Sequence, residues 1–197
     1  MPLYTQTLHT QLLDKFRTMN YHSLLQTVAL LLTRMGYQDV QFTSRTRFVG
    51  RTHDTGVDLR AFWPVPGGRR KVVIQVKQYP ADRLIYQRTL NELRGVVLAE
   101  GATEGLLITT SGYAQTVSFA KTTSYPVAPL RLIDAAELAL LCTFERVGVK
   151  VRASAKPRAL SRYKLDRPFF RMMAQPGCAT ALLIAATKQR HAAVVNA

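Results

Sequence analysis

The order of hydrophobic and polar residues divides the first part of the chain into helical and extended segments. Apolar residues, most of them leucines, recur with the spacing of one helix face over 3–18 and 23–35, which predicts two amphipathic helices. In the second helix, Ser23 is a candidate N-cap and Gly36 a C-terminal stop. Extended segments and turn residues follow, which predict strands at 39–49, 57–63 and 71–79, a turn at 51–56 and a loop at 64–70.

Strands and helices alternate after residue 80. The predicted elements are helices at 83–99, 113–123 and 135–147 and short apolar strands at 105–110 and 130–134. In the first of these helices the residues expected to face inward are Leu84, Leu90, Leu93 and Val97. A hairpin region followed by β-α-β-α units predicts an α/β fold with a mixed central sheet and helices on both faces.

Beyond residue 150 the periodicity ends and basic residues alternate with aromatic ones. We therefore expect three parts: an N-terminal helix at 1–20, a compact domain at 21–149, and a basic C-terminal arm at 150–197 that is partly disordered, with a short helix at 178–190. A basic segment with aromatic residues can bind nucleic acid through phosphate contacts and stacking, although a solvated arm is the simpler interpretation.

The charge of the chain predicts a polyanionic partner. The 197 residues contain 27 Lys and Arg against 12 Asp and Glu, a net charge of +15, and residues 148–197 hold 10 of the basic residues and one acidic residue. Nucleic acid is the leading candidate, because a basic surface gains affinity by releasing counterions from phosphates. An anionic membrane surface is the second candidate, and a charge that only maintains solubility is the third.

Cysteine content and hydropathy indicate a cytoplasmic protein. Cys142 and Cys178 have neither metal-binding nor disulfide-framework spacing, which favours a reducing compartment. The first residues lack the pattern of a secretory signal, and no apolar run reaches the roughly 18 residues of a membrane span. We therefore expect no membrane partner.

The segment KVVIQVKQY (71–79) has one apolar face and a second face that carries Gln75 and Lys77. An edge strand with a solvated second face would explain this pattern. If strands 57–63 and 71–79 form a hairpin, however, Asp58 lies opposite residue 76, give or take two positions, and its carboxylate meets Gln75 and Lys77. A carboxylate, an amide oxygen and an ammonium are a suitable set for a hard divalent cation and a phosphate.

Further residues are candidates for phosphate contacts. Thr110 and Ser111 follow an apolar strand and precede a predicted helix, so they either bind phosphate or cap that helix. Tyr79 either contacts DNA or packs at the strand end. Arg69 and Arg70 lie at the predicted hairpin tip, where charge alone suggests backbone contacts.

The order G-V-D-L (56–59), Q-V-K (75–77) and I-T-T-S-G-Y (108–113) resembles the catalytic domain of Mrr-type restriction endonucleases, which belong to the PD-(D/E)XK nuclease superfamily. The resemblance extends over residues 22–147 and implies a restriction-endonuclease-like fold. It also implies that Asp58 and Gln75 bind Mg²⁺, for which Mn²⁺ can substitute, and that Lys77 is the catalytic lysine. The implied activity is phosphodiester hydrolysis in double-stranded DNA, often modified DNA, by a homodimer without a small-molecule cofactor.

The sequence departs from the family pattern on the first long helix. Many members carry a glutamate there, whereas this chain has Gln26, with His22 one turn earlier. Asp54 is a candidate second carboxylate, although a turn-forming role explains it equally well. Two alternatives to the restriction-type endonuclease therefore stay open: an inactive DNA-binding protein with the same fold, and a nuclease of DNA repair or junction resolution.

Overall fold

A computed structural model describes residues 3–43, 56–117, 126–151 and 163–175, with side chains from residue 7 onward. The helices are α1 (Leu3–Thr18), α2 (Tyr21–Met35), α3 (Gln87–Ala99), α4 (Ala135–Phe144) and α5 (Arg167–Met173). The strands are β1 (Gln38–Phe42), β2 (Leu59–Val65), β3 (Gly68–Lys77), β4 (Glu104–Thr109), β5 (Leu130–Ile133), β6 (Val149–Val151) and β7 (Tyr163–Leu165). Within these ranges, no helix is both long and apolar enough to cross a membrane.

The central sheet is mixed, as the sequence predicts. Its five strands lie in the order β1-β2-β3-β4-β5, and β1, β2 and β3 pair antiparallel, whereas β3, β4 and β5 are parallel. Antiparallel hairpins suit the short connection between β2 and β3, and parallel neighbours require the longer crossovers that contain helices. The predicted fold class is therefore confirmed.

The β2–β3 hairpin is tighter than the predicted loop at 64–70. The strands continue to Val65 and resume at Gly68, which pair with each other, so only Pro66 and Gly67 form the turn. A proline followed by Gly67 at φ 78° fits a type II turn, in which only the second central residue needs a positive φ. The loop prediction was wrong because turn residues mark where a chain reverses but not how far the flanking strands extend.

Each face of the sheet has its own hydrophobic core. Val72, Ile74 and Val76 of β3 lie in one core with residues of α1, α2 and α4, whereas Val73 lies in the other core with residues of α3. This alternation follows from the two-residue period of a strand, and a strand covered on both faces reads as a continuous apolar run. The helices therefore flank both faces, as predicted.

The predicted C-terminal stop of helix α2 is confirmed, whereas its predicted N-cap is wrong. Gly36 adopts the left-handed conformation at φ 118°, and its N–H donates to the carbonyl oxygens of Leu32 and Thr33. The N-cap is Asn20, whose side chain accepts from the N–H of Ser23 at 2.8 Å. Ser23 is therefore inside the helix, where its hydroxyl donates to the carbonyl oxygen of Met173 at 2.7 Å.

Several predicted boundaries differ from the structure. Helix α3 begins at Gln87 instead of residue 83, and Leu84 is 37% exposed, whereas the other three predicted inward residues are buried. Tyr113 forms a bridge with Ile85 and turns follow it, so the predicted helix at 113–123 does not begin there; residues 118–125 lie outside the described ranges. Helix α4 ends at Phe144, and β1 ends at Phe42, with 44–49 outside the described ranges.

Residues 163–175 contain regular structure that the sequence did not predict. Strands β6 and β7 form an antiparallel hairpin, and α5 packs Phe169 and Phe170 against the core beneath α1 and α2. The rings of Phe16 and Phe170 lie 5.9 Å apart between centroids. The expected arm therefore differs from the structure in this segment, and the expected helix at 178–190 lies outside the described residues.

Candidate active site

The carboxylate of Asp58 lies against β3, between the positions of Gln75 and Lys77. Asp58 directly precedes β2, and its N–H donates to the carbonyl oxygen of Ile74 at 2.9 Å. The Leu59–Ile74 pair of β2 and β3, extended by one residue, places Asp58 opposite Gln75, within the predicted tolerance. Its Oδ2 accepts from the N–H of Val76 at 2.8 Å.

Gln75, the residue before Val76, has a buried amide oxygen. The residue is 7% exposed, and its Oε1 has no hydrogen-bond partner within the described part of the chain. A Cβ at Gly56 would lie 3.0 Å from the Nε2 of Gln75, and Gly56 has φ 68°. Glycine is therefore required at 56 both by its backbone conformation and by the space that the amide occupies.

Lys77 follows Gln75 by two residues, so the two side chains share one face of β3 with Val73. Its carbonyl oxygen is fixed by the N–H of Thr110 at 3.1 Å and the hydroxyl of Thr109 at 3.1 Å. The side chain is partly buried, and in the described ranges it forms no ion pair.

The start of α2 lies at the same end of the sheet. The hydroxyl of Tyr21 donates to the carbonyl oxygen of Val76 at 2.8 Å. His22 and Gln26 form a side-chain pair, with 2.9 Å between their Nε2 atoms, and the His22 ring lies 6.0 Å from that of Phe42. Gln26 is 5% exposed and, like Gln75, has a buried Oε1 without a partner among the described residues.

The residues at the end of β4 make internal contacts. Thr110 is fully buried, its hydroxyl donates to the carbonyl oxygen of Tyr79 at 2.8 Å, and it accepts from the Tyr79 N–H at 2.9 Å. Ser111 is 3% exposed, and its hydroxyl lies 2.9 Å from that of Thr109. Because no helix begins at 113, Ser111 does not cap one. These contacts stabilise the ends of β3 and β4. Tyr79 packs against the core that contains Val73, and the Arg83 guanidinium lies over its ring.

Arg69 and Arg70 lie at the opposite end of the β2–β3 hairpin from Asp58. Arg69 pairs with Asp39 at 2.6 Å, and its guanidinium stacks 3.9 Å above the Phe62 ring. Arg70 is exposed and pairs with Trp63 in the strand register. The structure therefore does not bring these arginines to the candidate site. Asp54 lies outside the described residues.

The side chains at this position carry few charges, and their oxygen atoms fit a hard divalent cation. Among the residues that the structure describes, no group of three His, Cys, Asp or Glu side chains could hold a metal ion. Oxygen ligands are what Mg²⁺ prefers, and it retains several waters. A buried acceptor without a partner costs about 1–3 kcal/mol, and coordination by a cation would remove that cost at Gln75. One carboxylate and one amide oxygen therefore suit a weak, partly hydrated metal site.

Four supporting contacts were not predicted from the sequence. The Nε2 of Gln78 donates to the carbonyl oxygens of Phe16 and Met19, each at 2.7 Å, and so ties the end of β3 to the end of α1. Glu100 pairs with Arg60 of β2 and with Lys71 of β3. The bond from Arg60, and then that from Lys71, lower the pKa of Glu100 to about 2 against the opposing effect of burial. Such long-range pairs leave no periodic signal in a sequence.

Two solved structures are similar to this chain, and the first of them has a similar fold. The first is described as DNA modification-dependent restriction endonuclease AspBHI; it has a TM-score of 0.55 and 14% identity, and the match covers 96% of this chain and 41% of that chain. The second is MspJI restriction endonuclease in complex with a 27-mer oligonucleotide, with a TM-score of 0.45, 14% identity and coverage of 93% and 35%. This chain therefore spans less than half the length of either protein.

Comparison with known sequences gives the family. No curated protein matches this chain. The family profile Mrr_cat, described as restriction endonuclease, matches residues 16–142, a range that includes Gln26, Asp58, Gln75 and Lys77. The chain therefore belongs to the Mrr catalytic-domain family of restriction endonucleases.

Proposed function

We propose that this chain is the catalytic domain of a Mg²⁺-dependent endonuclease that hydrolyses phosphodiester bonds in double-stranded DNA. The observation that carries the proposal is the position of the Asp58 carboxylate, which contacts β3 between Gln75 and Lys77. A carboxylate, an ammonium and an amide oxygen that has no hydrogen-bond partner among the described residues lie at one strand end, and they provide a small site with both signs of charge. Such a site suits a metal ion on one side of a phosphate and a cation on the other.

The three residues have distinct roles in this proposal. Asp58 and the Oε1 of Gln75 hold the Mg²⁺ ion, for which Mn²⁺ can substitute. When bound, such an ion would lower the pKa of a water molecule and place a positive charge next to the phosphate. Lys77 orients the attacking water and stabilises the negative charge that grows on the phosphate oxygens. The contact with the Val76 N–H fixes the Asp58 carboxylate before the substrate arrives.

The proposed substrate follows from charge and family. The net charge of +15 favours a polyanion, and family membership indicates a nuclease. Because AspBHI is described as modification-dependent, modified DNA is the first substrate to compare with unmodified DNA. A homodimer, as the resemblance to Mrr-type enzymes implies, would place one site on each strand.

An inactive DNA-binding protein is the second candidate. It is favoured by the neutral side chains of Gln26 and Gln75 and by the absence, within the described ranges, of a group of three metal-binding residues. This candidate predicts DNA binding that is independent of Asp58 and Lys77, without any cleavage.

A plasmid-nicking assay with Mg²⁺ or Mn²⁺ tests the proposal on the wild type, Asp58→Ala and Lys77→Ala, with methylated and unmethylated plasmid. We expect metal-dependent nicking that falls by at least about 100-fold in both variants, because each removes a group that stabilises charge in the transition state. Lys71→Ala and Asp39→Ala are matched controls. Lys71 lies on the same strand about 20 Å away, and Asp39 is an exposed partner of Arg69.

The controls should keep wild-type nicking when each is assayed at a temperature at which it is folded. Cleavage that persists in Asp58→Ala and Lys77→Ala would assign the activity to another site or to a contaminant. DNA binding by all proteins without nicking by any of them would support the inactive binding protein instead.

A further inference from the structure

A basic groove runs along α5, outside the candidate active site. It consists of two adjoining clefts of about 400 and 490 Å³, and Arg167 and Arg171 line both. Lys15 of α1 lines the first cleft, and Lys150 of β6 and Lys164 of β7 line the second. We call these five residues, with the clefts they line, the α5 groove.

The cations of the α5 groove are largely uncompensated. Among the described residues, no acidic side chain lines either cleft. The one ion pair that these five cations form there joins Lys150 to Asp166, at 3.5 Å. Lys15, Arg167 and Arg171 are exposed. An exposed cluster of like charges repels itself, and that repulsion is relieved when a polyanion binds.

The groove has a rigid base. The ring of Phe170 contacts that of Phe169, with centroids 5.3 Å apart, and a Cβ at Gly148 would lie 2.7 Å from Phe170. Met173 is 1% exposed, and its carbonyl oxygen accepts from the hydroxyl of Ser23. Arg167 and Arg171 are one helical turn apart on this anchored helix, so their Cβ atoms are about 5–6 Å from each other. Pre-positioned cations lose less entropy when they bind.

The groove is continuous with the strand end that carries Lys77. Met19 and Asn20 line the first cleft, and the carbonyl oxygen of Met19 accepts from Gln78, the residue after Lys77. The hydroxyl of Tyr21, next to Asn20, donates to Val76. The junction of α1 and α2 therefore joins the two regions, and a rod-like polyanion at one of them passes close to the other.

We infer that the α5 groove binds backbone phosphates of the DNA that flanks the cleaved bond. This inference rests on the proposed function, because it takes the substrate to be DNA. It adds a phosphate-binding surface whose five cations, Lys15, Lys150, Lys164, Arg167 and Arg171, lie outside the 16–142 family match. The groove recognises charge and not base sequence, so it determines affinity and register.

The experiment measures duplex binding by fluorescence anisotropy in EDTA, where metal-dependent cleavage cannot occur, over a series of salt concentrations. The variant Arg167→Gln/Arg171→Gln removes two charges from the groove. The control Arg88→Gln/Arg131→Gln removes two charges from exposed, ion-paired arginines of α3 and β5. Equal melting temperatures establish that both double variants are folded.

We expect the groove variant to bind at least about 10-fold more weakly and to lower the slope of log K against log salt by about 2, since each phosphate contact contributes about 0.9. The control should change the slope by less than half as much. Equal changes of affinity and slope in both variants would refute the inference, because the groove would then contribute only through the overall charge. A groove variant with wild-type affinity and slope would also refute it. A variant that loses binding to anionic vesicles but keeps its DNA affinity would also overturn the inference.

The outcome is separable from that of the nicking assay. If the wild type binds through the groove but does not cut, the nuclease proposal fails and the groove stands. If the wild type cuts and the groove variant binds DNA as tightly as the wild type, only the groove fails. Lys77→Ala should lower the salt slope by at most about 0.9, the share of one phosphate contact and about half the change expected of the groove variant.

Discussion

Replacing Gln75 by glutamate exchanges a buried amide for a carboxylate, and it tests the proposed metal site directly. The side chain is 7% exposed, and its Oε1 has no partner among the described residues. A carboxylate at this position has the same shape but carries a charge that the surrounding apolar core does not solvate. Leaving a buried polar group unsatisfied costs about 1–3 kcal/mol, and a charged group costs more. Without metal, Gln75→Glu should therefore lower the free energy of unfolding by at least that amount.

Divalent metal should reverse this loss. An added unit charge about 4 Å from a doubly charged ion is worth about 2 kcal/mol even at the dielectric constant of water, or about 30-fold in Kd. At a Mg²⁺ concentration about ten times the Kd, binding to the native state adds about 1.4 kcal/mol. For a chain of this size, that gain raises the melting temperature by about 3–6 °C.

The assay is thermal unfolding of the wild type, Gln75→Glu and Gln75→Leu in Mg²⁺, with NaCl of equal ionic strength as a reference. We expect Gln75→Glu to melt lowest in EDTA and to respond to the least Mg²⁺. Gln75→Leu removes the partnerless oxygen, so it should melt within a few degrees of the wild type and respond weakly. EDTA should abolish every shift that arises from metal binding.

The reasoning about the metal site would be refuted by a Gln75→Glu protein that melts lower in EDTA and gains no more from Mg²⁺ than from NaCl. Gln75 would then be a buried structural amide, and the partnerless oxygen would say nothing about a ligand. A wild type and a Gln75→Leu variant with equal, large Mg²⁺ responses would place the ion elsewhere.

Two further predictions concern the framework of the site. Gly105→Ala should cost about 1–3 kcal/mol in urea unfolding, because the new Cβ would lie 2.6 Å from Leu130 and 2.8 Å from Val97, and overpacking a core costs about that much. Glu100→Gln should flatten the dependence of stability on pH. The bond from Arg60 lowers the pKa of Glu100 from 4.5 to about 2, so this stabilisation is complete above pH 4.5 and is lost as the pH falls towards 2.

Matched controls make these two predictions specific. A Cβ at Gly95 of α3 would meet nothing within 4 Å, so Gly95→Ala should stabilise the helix by about 0.5–1 kcal/mol. Glu92, whose side chain is 57% exposed, pairs with Arg88 on the same helix, and Glu92→Gln should leave the acid slope almost unchanged. Equal losses in both glycine variants, or equal slopes in both glutamate variants, would contradict the stated causes.

Local patterns predicted the elements whose stabilising contacts are also local. The leucine stripe of α2, its stop at Gly36 and the strands β4 and β5 follow from periodicity and turn chemistry. The start of α3 does not, because Ile85 pairs with Gly112 and Ala114 and holds the preceding residues extended. Asn20 and Ser23 are both good N-caps, so preference alone could not choose between them.

The candidate site was predictable where it depends on hairpin register, and unpredictable where it depends on long-range burial. The Asp58 carboxylate reaches β3 at Val76, between Gln75 and Lys77, because two adjacent strands pair. The chemical roles of the three residues remain predictions. The burial of Thr110 depends on Tyr79, thirty-one residues away, and no sequence spacing indicates it. Helix α5 has only seven residues, too few for a periodic signal, and owes its position to the packing of Phe170 on Phe16.

The low charge of the site and the high charge of the groove have a common consequence if both proposals hold. A site with a single carboxylate, Asp58, and the neutral oxygen of Gln75 binds a divalent cation weakly, so a substrate phosphate must supply part of the negative charge. Coupling of this kind is reciprocal: DNA raises the affinity for metal by the same factor as metal raises the affinity for DNA. The α5 groove, by concentrating DNA at the strand end of Lys77, then favours metal binding without touching the ion. A carboxylate-poor nuclease site would then bind its metal ion more tightly when DNA is present than when it is absent.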